Sequence, residues 1–356
     1  MCTELAGKGS WFLPLNKGWN DGAGNPPNTH GLKTDCLWND LLRPRSLANI
    51  LENYAQIIEE SNPKTGRKRK IQVFPRYHQL DVVRKLLSDT ATNATGKRYL
   101  IEHSAGSGKS NSIAWLAHQL IGIEKNSKPT FDSIIVITDR VVLDKQIRDT
   151  IKQFAQVGAT MGHAERSGDL RKFIEGGKKI IISTVQKFPF ILNEISDAHR
   201  GRSFAIIIDE AHSSQGGKAA ASMSEALSDP EDTVNDALEK RMRARKMLTN
   251  ASYFAFTATP KNKTLEIFGT PVPAPEGKTS HRPFHSYTMK QAIQEGFILD
   301  VLKNYTPVAS YYKLIKTVEG DPEFDTKRAK KKLRRYVESH DHAIRLKAEI
   351  MVRSLS

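Results

Sequence analysis

Leu100-Ile-Glu-His-Ser-Ala-Gly-Ser-Gly-Lys-Ser110 joins a short apolar run to a loop of small residues, and the stretch from Asn111 to Leu120 that follows has a helical composition. Gly106 and Gly108 let the backbone curl until successive N–H groups from Ala105 through Ser107 to Ser110 point inward, and the N-terminus of the following helix adds its positive dipole. Such a cradle suits a phosphate. Lys109 then reaches the β- and γ-phosphates of a nucleotide, and Ser110 ligates Mg2+. The strict pattern would place a glycine where His103 stands. A Gly/Ser turn with an exposed lysine is the plain alternative if this segment is taken by itself.

A second segment weighs against that alternative. Ala205-Ile-Ile-Ile-Asp-Glu-Ala-His212 is an apolar strand ending in two adjacent acids, which puts carboxylates at the carboxyl edge of a sheet, where such sheets bind ligands. Asp209 can hold Mg2+ and Glu210 can polarise an attacking water. Carboxylates beside a phosphate cradle fit metal-assisted phosphoanhydride hydrolysis, with Lys109, Asp209 and Glu210 as the candidate catalytic residues. A third segment, Phe256-Thr-Ala-Thr-Pro260, ends another strand with Thr257 and Thr259, whose hydroxyls can bond to the carboxylate loop and report phosphate loss. These expectations share one requirement: Lys109 and the Asp209/Glu210 pair must meet at a common rim.

Around these segments, Tyr99–Ile101, Ile134–Ile137, Ile180–Ile182, Ala205–Ile208 and Tyr253–Phe256 are continuous apolar runs, as expected for strands buried on both faces of a parallel sheet. They alternate with longer amphipathic segments, which predicts an α/β fold, a doubly wound parallel sheet with helical flanking segments. Residues 1–70 read as an irregular and helical linker, with Gly and Pro up to Asn28, a helix from Leu37 to Ile58 interrupted at Pro44, and a basic link from Asn62 to Lys70. Residues 71–265 read as the nucleotide-binding domain. Residues 266–356 read as a helical and extended connector, with a loop after Pro260, helices near Thr288–Gly296 and His342–Met351, and a basic block from Lys327 to Arg335. A peripheral helix is expected between Ser224 and Lys246.

Composition narrows the partners. Lys and Arg total 54 against 39 Asp and Glu, a net charge of +15, which favours a polyanion such as nucleic acid. Two cysteines, Cys2 and Cys36, make no disulfide framework and point to a reducing compartment. No apolar run is long enough to span a bilayer, and the N-terminus lacks the layout of a secretory signal. The cytoplasm is the expected location, with no membrane partner.

Gly106–Ser110, Asp209-Glu-Ala-His212 and Thr257-Ala-Thr259, in this order, resemble motifs I, II and III of superfamily 2 helicases and translocases, motors with RecA-like P-loop NTPase domains. The resemblance implies ATP and Mg2+ as cofactors and a coupling role for His212, Thr257 and Thr259. Arg76-Tyr-His-Gln79 resembles the upstream adenine-reading motif, implying that Arg76 and Gln79 contact the base. Val136-Ile-Thr-Asp-Arg140 and Ile182-Ser-Thr-Val-Gln186 resemble motifs Ia and Ib, implying that Arg140, Thr184 and Gln186 touch the DNA backbone. Within the superfamily the chain is most similar to the motor (R) subunit of type I restriction enzymes, through Phe12–Gly18, Gly22–Pro26, Tyr77-His-Gln79, Thr138-Asp-Arg140, Gln291–Asp300 and Asn304-Tyr-Thr306.

That resemblance implies ATP-driven translocation of double-stranded DNA alongside the modification and specificity subunits of a restriction–modification complex. It also implies a chain that lacks the family's nuclease domain and second motor domain. An arginine from the second domain supplies on the order of 10³–10⁵ in rate in related enzymes, so slow hydrolysis is expected of this stretch alone. DNA contacts are expected to be mainly to phosphates, salt-dependent and sequence-tolerant, with Arg140, Lys145 and Arg148 as the track. Two alternatives stay open: another superfamily 2 helicase fragment acting on DNA or RNA, and a non-catalytic nucleotide- or DNA-binding remnant.

Overall fold

The computed structural model describes residues 12–61, 68–93, 95–138, 147, 149–151, 161–164, 167–185, 199, 201–210, 250–275 and 279–300. The chain divides into two compact units, Met1–Ile298 and Leu299–Ser356, and every element below belongs to the first. The elements are α1 (Pro44–Asn53), β1 (Gln56–Ser61), β2 (Lys68–Val73), α2 (Tyr77–Thr92), β3 (Arg98–His103), α3 (Lys109–Ile121), β4 (Glu124–Lys125), β5 (Lys128–Pro129), β6 (Ser133–Thr138), β7 (Met161–His163), α4 (Ser167–Glu175), β8 (Ile180–Thr184), β9 (Phe204–Ile208), β10 (Ala251–Thr257), α5 (Asn262–Phe268), β11 (Thr270–Pro273), β12 (Thr279–Arg282), β13 (His285–Tyr287) and α6 (Met289–Gln294).

Seven strands form one sheet in the order β13-β3-β10-β9-β6-β8-β7, and each adjacent pair is parallel. The continuous apolar runs feed two cores at once, since successive side chains of a strand leave opposite faces. Ile134, Val136, Ile180, Ile182, Ile207 and Phe256 join α2 and α3 on one face. Ile135, Ile137, Ile181, Ile206, Ile208 and Tyr253 join Leu170 and Ile174 of α4 and Ile267 and Phe268 of α5 on the other. The architecture is the expected doubly wound α/β sheet. Among the described residues no helix is long and apolar enough to cross a membrane.

Two stretches differ from the sequence reading. The helix expected to run to Ile58 ends at Asn53, and Gln56–Ser61 pairs antiparallel with Lys68–Val73. Ile57 is 68% exposed while Ile58 packs on the core: their period is two, and at the end of a helical run adjacent apolar residues pass for one helical face. The strand Lys68–Val73 of this pair therefore crosses the boundary expected at residue 70. The interruption expected at Pro44 is present: a π-helical turn, Leu37–Leu41, ends before it, and Pro44 opens the first turn of α1, where its missing N–H and fixed φ are tolerated. Beyond Pro260 the expected loop contains α5 and the antiparallel pair β11–β12, and β13 joins the main sheet beside β3, although it lies past residue 265. The sequence Ser224–Lys246, the block Lys327–Arg335 and the segment His342–Met351 lie outside the described residues.

The segment Lys17–Asn25 turns back onto α6. Ala23 N–H donates to Gln294 Oε1 at 2.6 Å, Thr288 Oγ donates to Asp21 O at 3.2 Å, and Lys290 Nζ donates to Asn20 O at 3.1 Å. A Cβ at Gly22 would lie 2.4 Å from Gln294 Oε1, so any larger residue would shift the Gln294 side chain. Two phrases far apart in sequence, Gly22–Pro26 and Gln291–Asp300, are thus joined in space.

Candidate functional site

The loop between β3 and α3 is held from outside itself by the N-terminus of α2. Gln79 Nε2 donates to the carbonyls of Ser107 and Gly108, each at 3.0 Å, and Arg76 Nη1 donates to Gly106 O at 2.9 Å. His78 Nε2 lies 3.0 Å from Ser107 O; a carbonyl only accepts, so this nitrogen carries the proton. In a trans peptide the N–H points opposite the C=O. With the Ser107 and Gly108 carbonyls turned to α2, the N–H groups of Gly108 and Lys109 face away from it, at the start of the 13-residue α3. Gly106 and Gly108 have φ of +70° and +76°, the left-handed region that glycine enters without strain.

Lys109 Nζ lies 3.3 Å from Glu210 Oε1 and donates to His103 O at 3.4 Å. Glu210 follows β9 and Lys109 follows β3, with β10 between those strands; the lysine crosses the carboxyl rim to the acid pair. Asp209 is 6% exposed, and its N–H donates to Ile137 O at 2.9 Å. Glu210 has φ +52°, a strained value for a residue with a Cβ. Thr257 is buried at the end of β10 and its Oγ accepts from Thr259 N–H at 3.3 Å; Thr259 is exposed. Thr184 ends β8 in register with Thr138 at the same rim. Ala105 and Gly106 are exposed and Ser110 is half-buried. Arg140, Gln186 and His212 lie outside the described residues, as do Lys145 and Arg148.

Beneath the loop runs a chain of histidines that sequence reading did not single out. His103 Nε2 lies 2.9 Å from His285 Nδ1, and His285 Nε2 lies 3.1 Å from Asp81 Oδ2, which also pairs with Lys85 at 2.6 Å. A carboxylate accepts, so the arrangement that satisfies the chain has His285 donating to Asp81 and His103 donating to His285. Burial pushes the His78 imidazole down to about 3, the carbonyl of Ser107 opposing that shift and Arg76 and His285 adding to it. Burial likewise holds His103 well below its ordinary value, with His285, His78 and Lys109 acting in the same direction. Burial alone would raise Asp81, but the hydrogen bonds from His285 and Lys85 hold it below the ordinary carboxylate value. His78 also stacks on Tyr287 at 3.6 Å and 14°, and Tyr287 donates to Glu295 at 2.7 Å. His285 and Tyr287 come from β13 and Glu295 from the residue that follows α6, and the only local hint of them is the phrase Arg76-Tyr-His-Gln79.

The SWI2/SNF2 ATPase family model matches residues 78–334. The chain is similar to a type I restriction enzyme endonuclease subunit of Staphylococcus saprophyticus, 25% identical over 303 residues that make up 81% of this chain and 26% of that one. It is similar to the type I restriction enzyme HindI endonuclease subunit of Haemophilus influenzae, 28% identical over 289 residues, 75% of this chain and 24% of that one. The chain therefore spans about a quarter of the length of the curated relatives it matches. Among solved structures, a fragment of a putative HsdR subunit of a type I restriction enzyme from Vibrio vulnificus is similar at a TM-score of 0.38 and 15% identity, over 78% of this chain and 49% of that one. The Sulfolobus solfataricus SWI2/SNF2 ATPase core in complex with dsDNA is similar at a TM-score of 0.35 and 15% identity, over 61% of this chain and 36% of that one.

Proposed function

Because this chain belongs to the SWI2/SNF2 ATPase family, we propose that it is an ATP-hydrolysing motor element that acts on double-stranded DNA within a type I restriction enzyme. The observation that carries this reading is the 3.3 Å approach of Lys109 to Glu210 across the rim of the sheet. The residues suit a magnesium nucleotide: two glycines in the left-handed region before α3, a lysine and a serine at the start of that helix, and Glu210 within reach of the lysine, with Asp209 beside it in sequence.

In that reading the N–H groups of Gly108 and Lys109 and the ammonium of Lys109 bind the β- and γ-phosphates. Ser110 and Asp209 hold the metal. Mg2+ supplies neutralisation of charge on the phosphate oxygens. Glu210 orients the attacking water and takes its proton. Arg76 and Gln79, already at the loop, contact the base. Thr257 and Thr259 couple the site to Thr184, Arg140 and Gln186, which contact the DNA backbone. The modification and specificity subunits supply target choice.

The test compares ATP hydrolysis by the parent chain with Lys109→Ala and Glu210→Gln, each with duplex DNA, with RNA and with neither. The reading predicts a slow parent rate that duplex DNA raises only modestly and that both substitutions lower further. Equal rates in all three proteins would refute catalysis at this site, and stimulation by RNA in place of duplex DNA would assign the motor to another substrate.

A further inference from the structure

The Phe297 ring lies under the guanidinium of Arg76, with the guanidinium carbon 3.6 Å from the ring centroid. The same guanidinium donates to Gly106 O through Nη1 at 2.9 Å, and the Arg76 backbone N–H donates to Gln79 Oε1 at 2.9 Å. The next residue touches the loop directly: a Cβ on Gly106 would fall 2.6 Å from Ile298 Cγ2. A flat cation is therefore fixed along one edge by the phosphate loop and across one face by an aromatic ring. An unsupported arginine would lose much side-chain freedom on taking up such a position, and here the protein has already fixed it. Guanidinium faces and N–H groups recognise planar, acceptor-bearing rings. In a nucleotide that part is the base.

We propose that Phe297 is a positioning residue for base recognition, holding Arg76 against the base of the nucleotide whose phosphates lie in the 104–110 loop. This rests on the nucleotide-binding reading above and adds to it the residue after α6 that makes the site distinguish a nucleotide from a bare polyphosphate. The proposal concerns binding, so its test does not depend on turnover.

The experiment is equilibrium titration of the 356-residue chain with ATP and, separately, with inorganic triphosphate, both with Mg2+. Phe297→Ala is expected to weaken ATP about three- to tenfold and triphosphate less than about twofold. Phe297→Leu keeps apolar bulk without a ring and is expected to behave like Phe297→Ala, whereas Phe297→Trp restores ATP affinity. Arg76→Ala, which also frees Gly106 O, weakens ATP at least as much as Phe297→Ala does, and adding Phe297→Ala to it costs nothing more, because the ring acts through the arginine. A purely packing role would weaken both ligands together and be rescued by leucine; either result, or an unchanged ATP affinity in Phe297→Ala, overturns the proposal. Failure of the parent to bind ATP or triphosphate would instead overturn the nucleotide-binding reading, and this proposal with it.

Discussion

At the end of β3 the loop 104–110 is gripped by its neighbours: Arg76, His78 and Gln79 take the carbonyls of Gly106, Ser107 and Gly108, and β13 pairs along the strand that leads into it. At the end of β9 the acid pair is set by backbone geometry, with Asp209 N–H bonded to Ile137 O of β6 and Glu210 in a left-handed conformation that meets Lys109. Binding a phosphate needs several N–H groups held in one geometry before the ligand arrives, because ordering them on arrival would weaken affinity. Placing one carboxylate needs a single strained residue, at a cost of about 1–3 kcal/mol. The phosphate side is therefore expected to govern affinity and the acid side to govern turnover.

The largest test of that division is Gly108→Ala. Its φ of +76° would strain alanine, and the new Cβ would meet Gln79 Nε2 at 2.5 Å, displacing the amide that holds two loop carbonyls. The expected result is a loss of ATP affinity of about tenfold or more, read by titration. Unchanged affinity would mean that α2 does not shape the cradle.

The histidines beneath the loop give the next effect. His78 ordinarily titrates near 6.5 and is pushed down to about 3 in the fold, so between these values the unfolded chain binds more protons than the native one. Stability is then fully present above about pH 6.5 and is lost as pH falls toward about 3, with the depressed His103 acting in the same direction. A destabilisation on the order of a few kcal/mol is expected across that window, measured by thermal unfolding against pH. In His78→Phe the dependence becomes shallower; an identical slope would remove His78 from the account.

The smallest effect concerns the strained acid. Glu210→Gly and Glu210→Ala lose the same carboxylate, and only alanine keeps the left-handed penalty, so the glycine variant is expected to be more stable by about 1 kcal/mol. Equal unfolding free energies would show that Glu210 is not strained.

The loop and the acid pair were legible in the sequence because each is a local signature: small residues before Lys109, and carboxylates after an apolar strand. Five strands of the main sheet, β3, β6, β8, β9 and β10, were legible for the same reason, each containing a continuous apolar run. The antiparallel pair Gln56–Ser61 and Lys68–Val73 was not, because Ile57 and Ile58 extend a helical spacing by one step while only Ile58 packs on the core. Nor was β13: His285-Ser-Tyr287 carries no apolar run, and its place in the sheet is fixed by pairing with a strand far earlier in the chain. The histidine chain and the Arg76–Phe297 stack depend on that pairing and on α6, so no local pattern announces them.

The central claim is that Lys109 and the Asp209/Glu210 pair serve one magnesium nucleotide. Titration of ATP into the parent chain, Lys109→Ala and Glu210→Gln, with and without Mg2+, tests it most directly. The account predicts one Mg2+-dependent site, weakened about tenfold or more by Lys109→Ala, which removes a charge-assisted hydrogen bond, and left in place by Glu210→Gln. An affinity that ignores both Mg2+ and the loss of Lys109 would contradict it.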